Sequence, residues 1–349
     1  MALKTKVPEI SLAWETCAQI LDKPFNSPQG VLYIQTRHAS THACGLQKME
    51  DKVMTLEEAI RKFICDGCSL TFGGFCGRNS QAAAYEIVRQ KKKDLTFIDD
   101  SPTDQLDILI GAGCIKRAEI GWHGVSIFAR ALNFCRAIEE GIPQKIEVED
   151  YSNYAVGLRF LAGAMEVPFL PTRSLLGSDI PKHNRRIKIV EDLYLGDPVA
   201  LVPAASPDVA IIHVQRADRQ GNAQIWGHLA NDTNKARAAK HALIMCEEII
   251  PYEDILRIPN MTAIPFYCVD AVIEVRFGSH PWSCYGYYYH DIPFQKNYAE
   301  HNKTLEGFLN WLNDWVINCD DHVDYCNKVG RERLLELTKM EHALNRIPV

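Results

Sequence analysis

The sequence predicts an α/β protein built on a largely parallel, open sheet with helices on both faces and a helical C-terminal part. Three observations carry that prediction. Short apolar runs alternate with longer amphipathic stretches from about residue 55 onward, and a helix between two strands returns the chain to the same end of a sheet, which makes the strands parallel. The run Val209-Ala-Ile-Ile-His-Val214 is almost wholly apolar, the pattern of a strand buried on both faces. Gly73-Gly74 and Asp218-Arg-Gln-Gly221 follow such runs, at the carboxyl ends of strands, where open parallel sheets bind ligands.

The elements follow in order. Thr55 and Glu58 have the spacing of a capping box, which opens a helix over Leu56 to Cys65. A strand over Ser69 to Phe72 runs into Gly73-Gly74-Phe75. Next come a helix over Ala82 to Lys91, a strand over Asp94 to Ile98, and a short helix or turn over Ile108 to Ala112. A strand over Ala118 to Trp122, a helix over Phe128 to Glu140, a strand over Ile146 to Val148 and a helix over Tyr154 to Ala164 continue the alternation. A second block begins near Gly177, with strands over Ala200 to Val202, Val209 to Val214, Leu243 to Cys246 and Val269 to Val275, and a helix that ends at Ala242. From about Thr304 the pattern reads as two amphipathic helices, with Trp311 and Trp315 four residues apart on one face. Residues 1–48 carry Pro8, Pro24 and Pro28 and no sustained helical period. They read as a poorly ordered extension or as sequence upstream of the true start, so the domain is expected to be residues 49–349.

Composition excludes several classes. The 349 residues are 47% hydrophobic and 23% charged, with a formal net charge of -6. That mild acidity gives no footprint for nucleic acid. No apolar run approaches the ~20 residues that span a bilayer, and no secretory leader opens the chain. Twelve cysteines without a repeating frame then read as reduced thiols in a cytoplasmic protein. Cys65 and Cys68 form a lone CxxC around Asp66-Gly67, which reads as a turn, and no metal is expected.

Three segments carry candidate chemistry. Gly73 and Gly74 let the backbone approach a ligand because no Cβ intervenes, and the following helix aims its amides at the same spot. A tight turn without a ligand explains the glycines equally well. Gln215, Arg216, Asp218 and Asn222 lie after the most apolar strand, where a cleft belongs, although Asp218 with Asn222 also fits a self-satisfied turn. The stretch Gly278 to Phe294 crowds four tyrosines, a tryptophan and a phenylalanine into a segment with little period, the mark of a pocket rim or an interface. Residue chemistry alone stops at an α/β ligand site.

Taken together, these segments resemble the A-type subunits of the family I coenzyme A transferases, and within them the glutaconate type. The family's signature is Asp-Gly, two residues, three apolar residues and Gly-Gly-Phe; here it stands as Asp66-Gly67, Leu70-Thr71-Phe72 and Gly73-Gly74-Phe75. Thr71 departs from it, as does Asn79-Ser80-Gln81 in place of the usual Gly-x-Pro. The likeness continues through Glu149-Asp-Tyr-Ser152, Pro168-Phe-Leu-Pro171, Ile225-Trp-Gly227, Cys246-Glu-Glu-Ile-Ile250 and the tail around His280-Pro281 and Cys284-Tyr-Gly286. The resemblance implies the NagB/RpiA-like fold of these enzymes. It also implies coenzyme A as a substrate with no permanently bound cofactor, and a partner, the B-type subunit of a CoA transferase, that carries the nucleophilic glutamate. The Glu-Asn-Gly signature of that partner is absent from this chain, so no catalytic nucleophile is expected here. The residues expected to bind the substrate or CoA are Gly73, Gly74, Phe75, Arg78, Ser126, Gln215 and Asn222. Two alternatives accompany this reading. One is a CoA-ester hydrolase of the same superfamily that opens a cyclic diketone with a glutamate near the position of Tyr151. The other is a non-enzymatic effector-binding module.

Overall fold

The computed structural model describes residues 50–125 and 129–344. All of them fall in one unit, Met49–Val349, so the expectation for residues 1–48 lies outside the described residues. The capping box forms as its chemistry requires. Thr55 Oγ1 accepts the Glu58 N–H at 3.2 Å and Glu58 Oε2 accepts the Thr55 N–H at 2.9 Å, which starts α1 (Leu56–Phe63).

β1 (Ser69–Phe72), β2 (Leu95–Asp99), β3 (Ile115–Ile120) and β4 (Glu147–Asp150) lie side by side and parallel. They are connected through α2 (Gln81–Arg89), α3 (Asp104–Gly111) and α4 (Leu132–Glu139). After α5 (Asn153–Ala164) the chain leaves this sheet. It builds a separate antiparallel sheet of β5 (Phe169–Thr172), β6 (Lys188–Glu191) and β7 (Pro198–Pro203) in the order β5-β7-β6, with the one-turn α6 (Ile180–His183) between the first two. β8 (Val209–Ala217) then returns to the main sheet on the free side of β1. β9 (Ala223–Gln224) turns back antiparallel on β8, and α7 (Asp232–Ala238) leads to β10 (His241–Ile249). α8 (Tyr252–Arg257), β11 (Thr262–Ile264) and β12 (Ala271–Glu274) complete the nine-stranded sheet.

Its parallel ladder reads β12-β10-β8-β1-β2-β3-β4. The chain winds outward from β1 to β4 in one direction and from β8 to β12 in the other. The reversal falls between β1 and β8, so their carboxyl ends form the topological switch point. β8 shows how burial on both faces produces its sequence. Val209 and Ile211 face the core that holds α2 and α3, whereas Ala210, Ile212 and Val214 face a second core with Ala236 of α7, the period of two that a strand imposes.

From Val209 onward the strands of the block that begins near Gly177 extend the first sheet. One expectation is corrected. After α9 (Ile292–His301), the part from Thr304 has three α-helices where two were expected, α10 (Leu305–Leu312), α11 (His322–Val329) and α12 (Arg331–His342), with a π turn over Asn313–Ile317. The breaks are chemical. Asp291, Thr304 and Asp321 each cap a helix start with a side-chain acceptor, and Gly330 takes φ +97° between the last two. Among the described residues no helix is long and apolar enough to cross a membrane.

Candidate active-site cleft at the strand switch point

β1 ends at Phe72, and the chain turns through Gly73 to Arg78 over the carboxyl end of the sheet. A Cβ on Gly73 would lie 2.7 Å from Ile212 and 3.1 Å from Asp232 Oδ1. A Cβ on Gly74 would collide with the carbonyl of Arg78, and Gly74 has φ +81°. Both positions therefore require glycine for packing. Cys76 and Arg78 are also left-handed, at φ +51° and +57°. Three left-handed residues in five form a strained loop of the kind that collects at ligand sites.

The bonds of this loop decide what it offers. Gly73 N–H donates to Ile211 O at 2.8 Å, Gly74 N–H to Asp232 Oδ1 at 2.9 Å, and Arg78 N–H to Ser283 O at 2.7 Å. The amides of Gly73 and Gly74, expected to face a ligand, are thus occupied. Among the described residues, those of Phe75 and Cys76 donate to no acceptor. The Phe75 ring is exposed and lies 6.3 Å from the ring of His228.

Opposite the loop stands the end of β2. A narrow cavity runs between Phe72, Gly73 and Gly74 on one side and Asp99, Ser101 and Thr103 on the other. Its polar wall is ordered, since Asn79 Nδ2 donates to Thr103 Oγ1 at 2.9 Å, Thr103 Oγ1 donates to Gln105 Oε1 at 2.7 Å, and Asn153 Nδ2 donates to Ser101 Oγ at 2.7 Å.

Beneath the loop lies a sealed set of charges. Asp232, in the first turn of α7, binds Arg78 Nη1 at 2.8 Å, and both side chains are fully buried. Arg78 also donates to His213 O at 3.0 Å and His228 O at 2.7 Å. Its guanidinium therefore braces the loop from inside and does not reach the cavity. One turn along α7, buried Lys235 donates to Phe72 O at 2.8 Å and Asp99 Oδ1 at 2.6 Å, with Asp100 Oδ1 at 3.3 Å. Burial opposes the charge on Lys235, and the carboxylates of Asp99, Asp100 and Asp232 outweigh it and hold its pKa above the ordinary value.

The remaining candidates separate from the cleft. Gln215 is fully buried, donating to Trp226 O at 2.9 Å and Tyr285 O at 3.3 Å, so it ties the aromatic segment to β8. Asn222 sits in the turn built by Asp218, whose Oδ1 accepts the N–H groups of Gln220, Gly221 and Asn222 and whose Oδ2 accepts Asn222 Nδ2 at 2.6 Å. That is the self-satisfied turn. Ser126 lies outside the described residues. Sequence reasoning misses Asp232, Lys235 and Asp99. Their only signal is a polar helix start with an acid and a base three residues apart, common on any solvated helix.

A second polar cluster sits at the β3–β4 edge. Glu119 binds Arg159 at 2.6 Å, Arg186 at 3.1 Å and Arg117 at 3.1 Å, while Arg117 also binds Glu149, which accepts from the Tyr151 hydroxyl. Burial raises the Glu119 pKa, and Arg159, Arg186 and Arg117 together lower it below the ordinary value. Among the described residues, one group has metal-ligand proximity, His213, Glu247 and Cys284, all buried and with ligand atoms within 4.8 Å. Its atoms serve a structural node. His213 Nε2 meets Glu247 Oε1 at 2.7 Å, and Glu247 accepts from Tyr288 Oη and Phe277 N–H, each at 2.7 Å.

The family described as Coenzyme A transferase matches residues 53–275. The chain is 38% identical over 307 residues to the A-type subunit of glutaconate CoA-transferase from Acidaminococcus fermentans, covering 82% of this chain and 94% of that one. The crystal structure of glutaconate coenzyme A-transferase from that organism superposes with a TM-score of 0.77 at 36% identity, over 82% of this chain and 95% of the other. Identity to the A-type subunit of 3-oxoadipate CoA-transferase from Pseudomonas knackmussii is 34%, over 80% of this chain and 98% of that one. A cholesterol ring-cleaving hydrolase IpdA subunit of Rhodococcus jostii is similar at 26% identity, over 78% of this chain and 94% of that one.

Proposed function

The chain belongs to the coenzyme A transferases, as an A-type subunit of family I, and on that premise we propose that it forms half of a two-chain enzyme moving CoA between an acyl-CoA and a dicarboxylic acid of the glutaconate type. The observation that carries this reading is the state of the acids around the cleft. Asp99 and Asp100 are held by Lys235, Asp232 by Arg78 and the Gly74 amide, and Glu119 by three arginines. A carboxylate that attacks a thioester has to approach the carbonyl free of such partners. The held acids fit the family pattern, in which the nucleophilic glutamate comes from a B-type partner and the reaction passes through a glutamyl-CoA thioester on that second chain.

This chain supplies the opposing wall. The amides of Phe75 and Cys76 are the donors available to an acyl oxygen or carboxylate, and Asn79, Ser101 and Thr103 line the cavity beside them. Ser126 remains the candidate for handling the acceptor acid. Coenzyme A enters as substrate.

The test is to isolate the complex, incubate it with glutaconyl-CoA and acetate, and follow acetyl-CoA. Transfer to acetate, with a CoA-sized mass increase on the partner chain when no acceptor is present, supports the reading. Stoichiometric release of free CoA without acceptor supports the hydrolase instead and overturns it. The hydrolase reading calls on a glutamate near Tyr151; Glu149 there is bound by Arg117 and accepts from Tyr151, and Glu119 beside it is held by three arginines that lower its pKa and make it a poorer base.

A further inference from the structure

Both charged side chains on the inner face of α7 end on the loops of the cleft, and neither reaches water. Asp232 accepts the Gly74 N–H at 2.9 Å and binds Arg78 at 2.8 Å. Lys235 donates to the carbonyl of Phe72, the residue that precedes the glycines, at 2.8 Å and to Asp99, the last residue of β2, at 2.6 Å. We propose that Asp232 and Lys235 are positioning residues for acyl transfer. In this role Lys235 locks the carboxyl ends of β1 and β2 at the width of the cavity, and Asp232 draws the Gly74 amide inward so that the next two amides, Phe75 and Cys76, face out. The proposal rests on the reading of this cleft as the transfer site.

The chemistry favours geometry over stability as the reason for these groups. A buried ion pair stabilises a fold no better than apolar side chains of the same shape. Methionine has nearly the length of lysine and would pack beside Phe160, whose ring lies 5.5 Å from Lys235 Nζ. What methionine lacks is a directed donor that reaches Phe72 O and Asp99 at once. Donors aimed at developing negative charge act only when held still before the reaction, and a shift of about 1 Å in such a site lowers rates by about a hundredfold.

The experiment uses the two-chain complex and the double variant Lys235→Met with Asp99→Asn, which removes the ammonium together with its nearest carboxyl group and leaves Asp100, which reaches solvent, to be hydrated. Steady-state rates, thermal midpoint and amide exchange by mass spectrometry are measured beside wild type and the exposed control Lys182→Met. The expected result is a kcat lower by about tenfold or more, a KM for acyl-CoA changed less than about twofold, an unchanged thermal midpoint, and faster exchange confined to residues 72–78. A wild-type kcat in the double variant overturns the proposal. So does a loss of kcat accompanied by a lower midpoint and faster exchange throughout, because the pair then serves only the fold. If the wild-type complex itself transfers no CoA, the functional reading fails, and the exchange over residues 72–78 still reports whether the clamp exists.

Discussion

Beneath the glycine loop, Arg78, Asp232, Lys235 and Asp99 pair with side chains no more than 8% exposed, whereas the cluster around Glu119 opens to water through Arg117 at 31% and Arg186 at 43%. The two sets contain similar groups at similar distances. They differ in what happens when one member is removed. In the sealed set, no solvent replaces the lost partner, and the remaining charge is stranded. In the open set, water and the second and third arginines substitute. A sealed set therefore transmits any change directly to the loop it holds, while the open set absorbs it.

The comparison is broken most directly at Asp232. Asp232→Ala leaves the Arg78 guanidinium buried without its carboxylate and is expected to cost about 3–5 kcal/mol; urea unfolding of the chain reads it, and a loss below about 1 kcal/mol would remove the distinction. Gly74→Ala acts on the same loop through its backbone. The left-handed φ of +81° alone costs alanine about 1–2 kcal/mol, and the collision with the Arg78 carbonyl adds to it. Thermal melts check this prediction, and an unchanged melt would show that the loop relaxes freely.

Glu119→Gln tests the open set. It keeps an acceptor for the arginines and loses the charge, so about 1–2 kcal/mol is expected at neutral pH. The sign with pH follows from the lowered folded pKa. The Glu119 contribution is complete above the ordinary value of 4.5 and is lost as pH falls through the lower folded value. Stability of wild type and variant should converge in acid, and equal differences at pH 7 and pH 3 would refute the pairing. Smallest of all, Arg173→Ala removes an exposed pair with Asp197, each side chain more than half exposed; the change should stay within about 0.5 kcal/mol by the same urea measurement.

The sheet was legible in the sequence where its strands are buried on both faces. The strands over Ser69 to Phe72 and Val209 to Val214 needed only their apolar runs and the turns beyond them. The antiparallel sheet was legible only at β7, read as a strand over Ala200 to Val202, because β6 is exposed along its whole length and β5 carries Pro171, which weakens a strand signal. Gly73 and Gly74 line the narrow cavity at the end of β1, yet sequence could not say that their amides are already bonded. Arg78 read as a ligand for the same reason, since its partner lies 154 residues away and no local pattern records it. Asp218 with Asn222 was the opposite case. Its turn closes within four residues, and spacing alone contained the bland reading that the bonds support.

The distance between Gly74 and Asp232 along the chain also sets an order in time. Their bond joins residues 158 apart, and β1 meets β8 through pairs such as Leu70 with Val209. Such nonlocal closures slow folding, because loop entropy is lost before the contact rewards it. During synthesis the glycine loop leaves the ribosome long before α7 exists to support it, and β1 has no neighbour on that side until β8 arrives. The cleft is consequently among the last features to form, and a chain stopped before residue 209 would expose the open edge of β1 to other nascent chains.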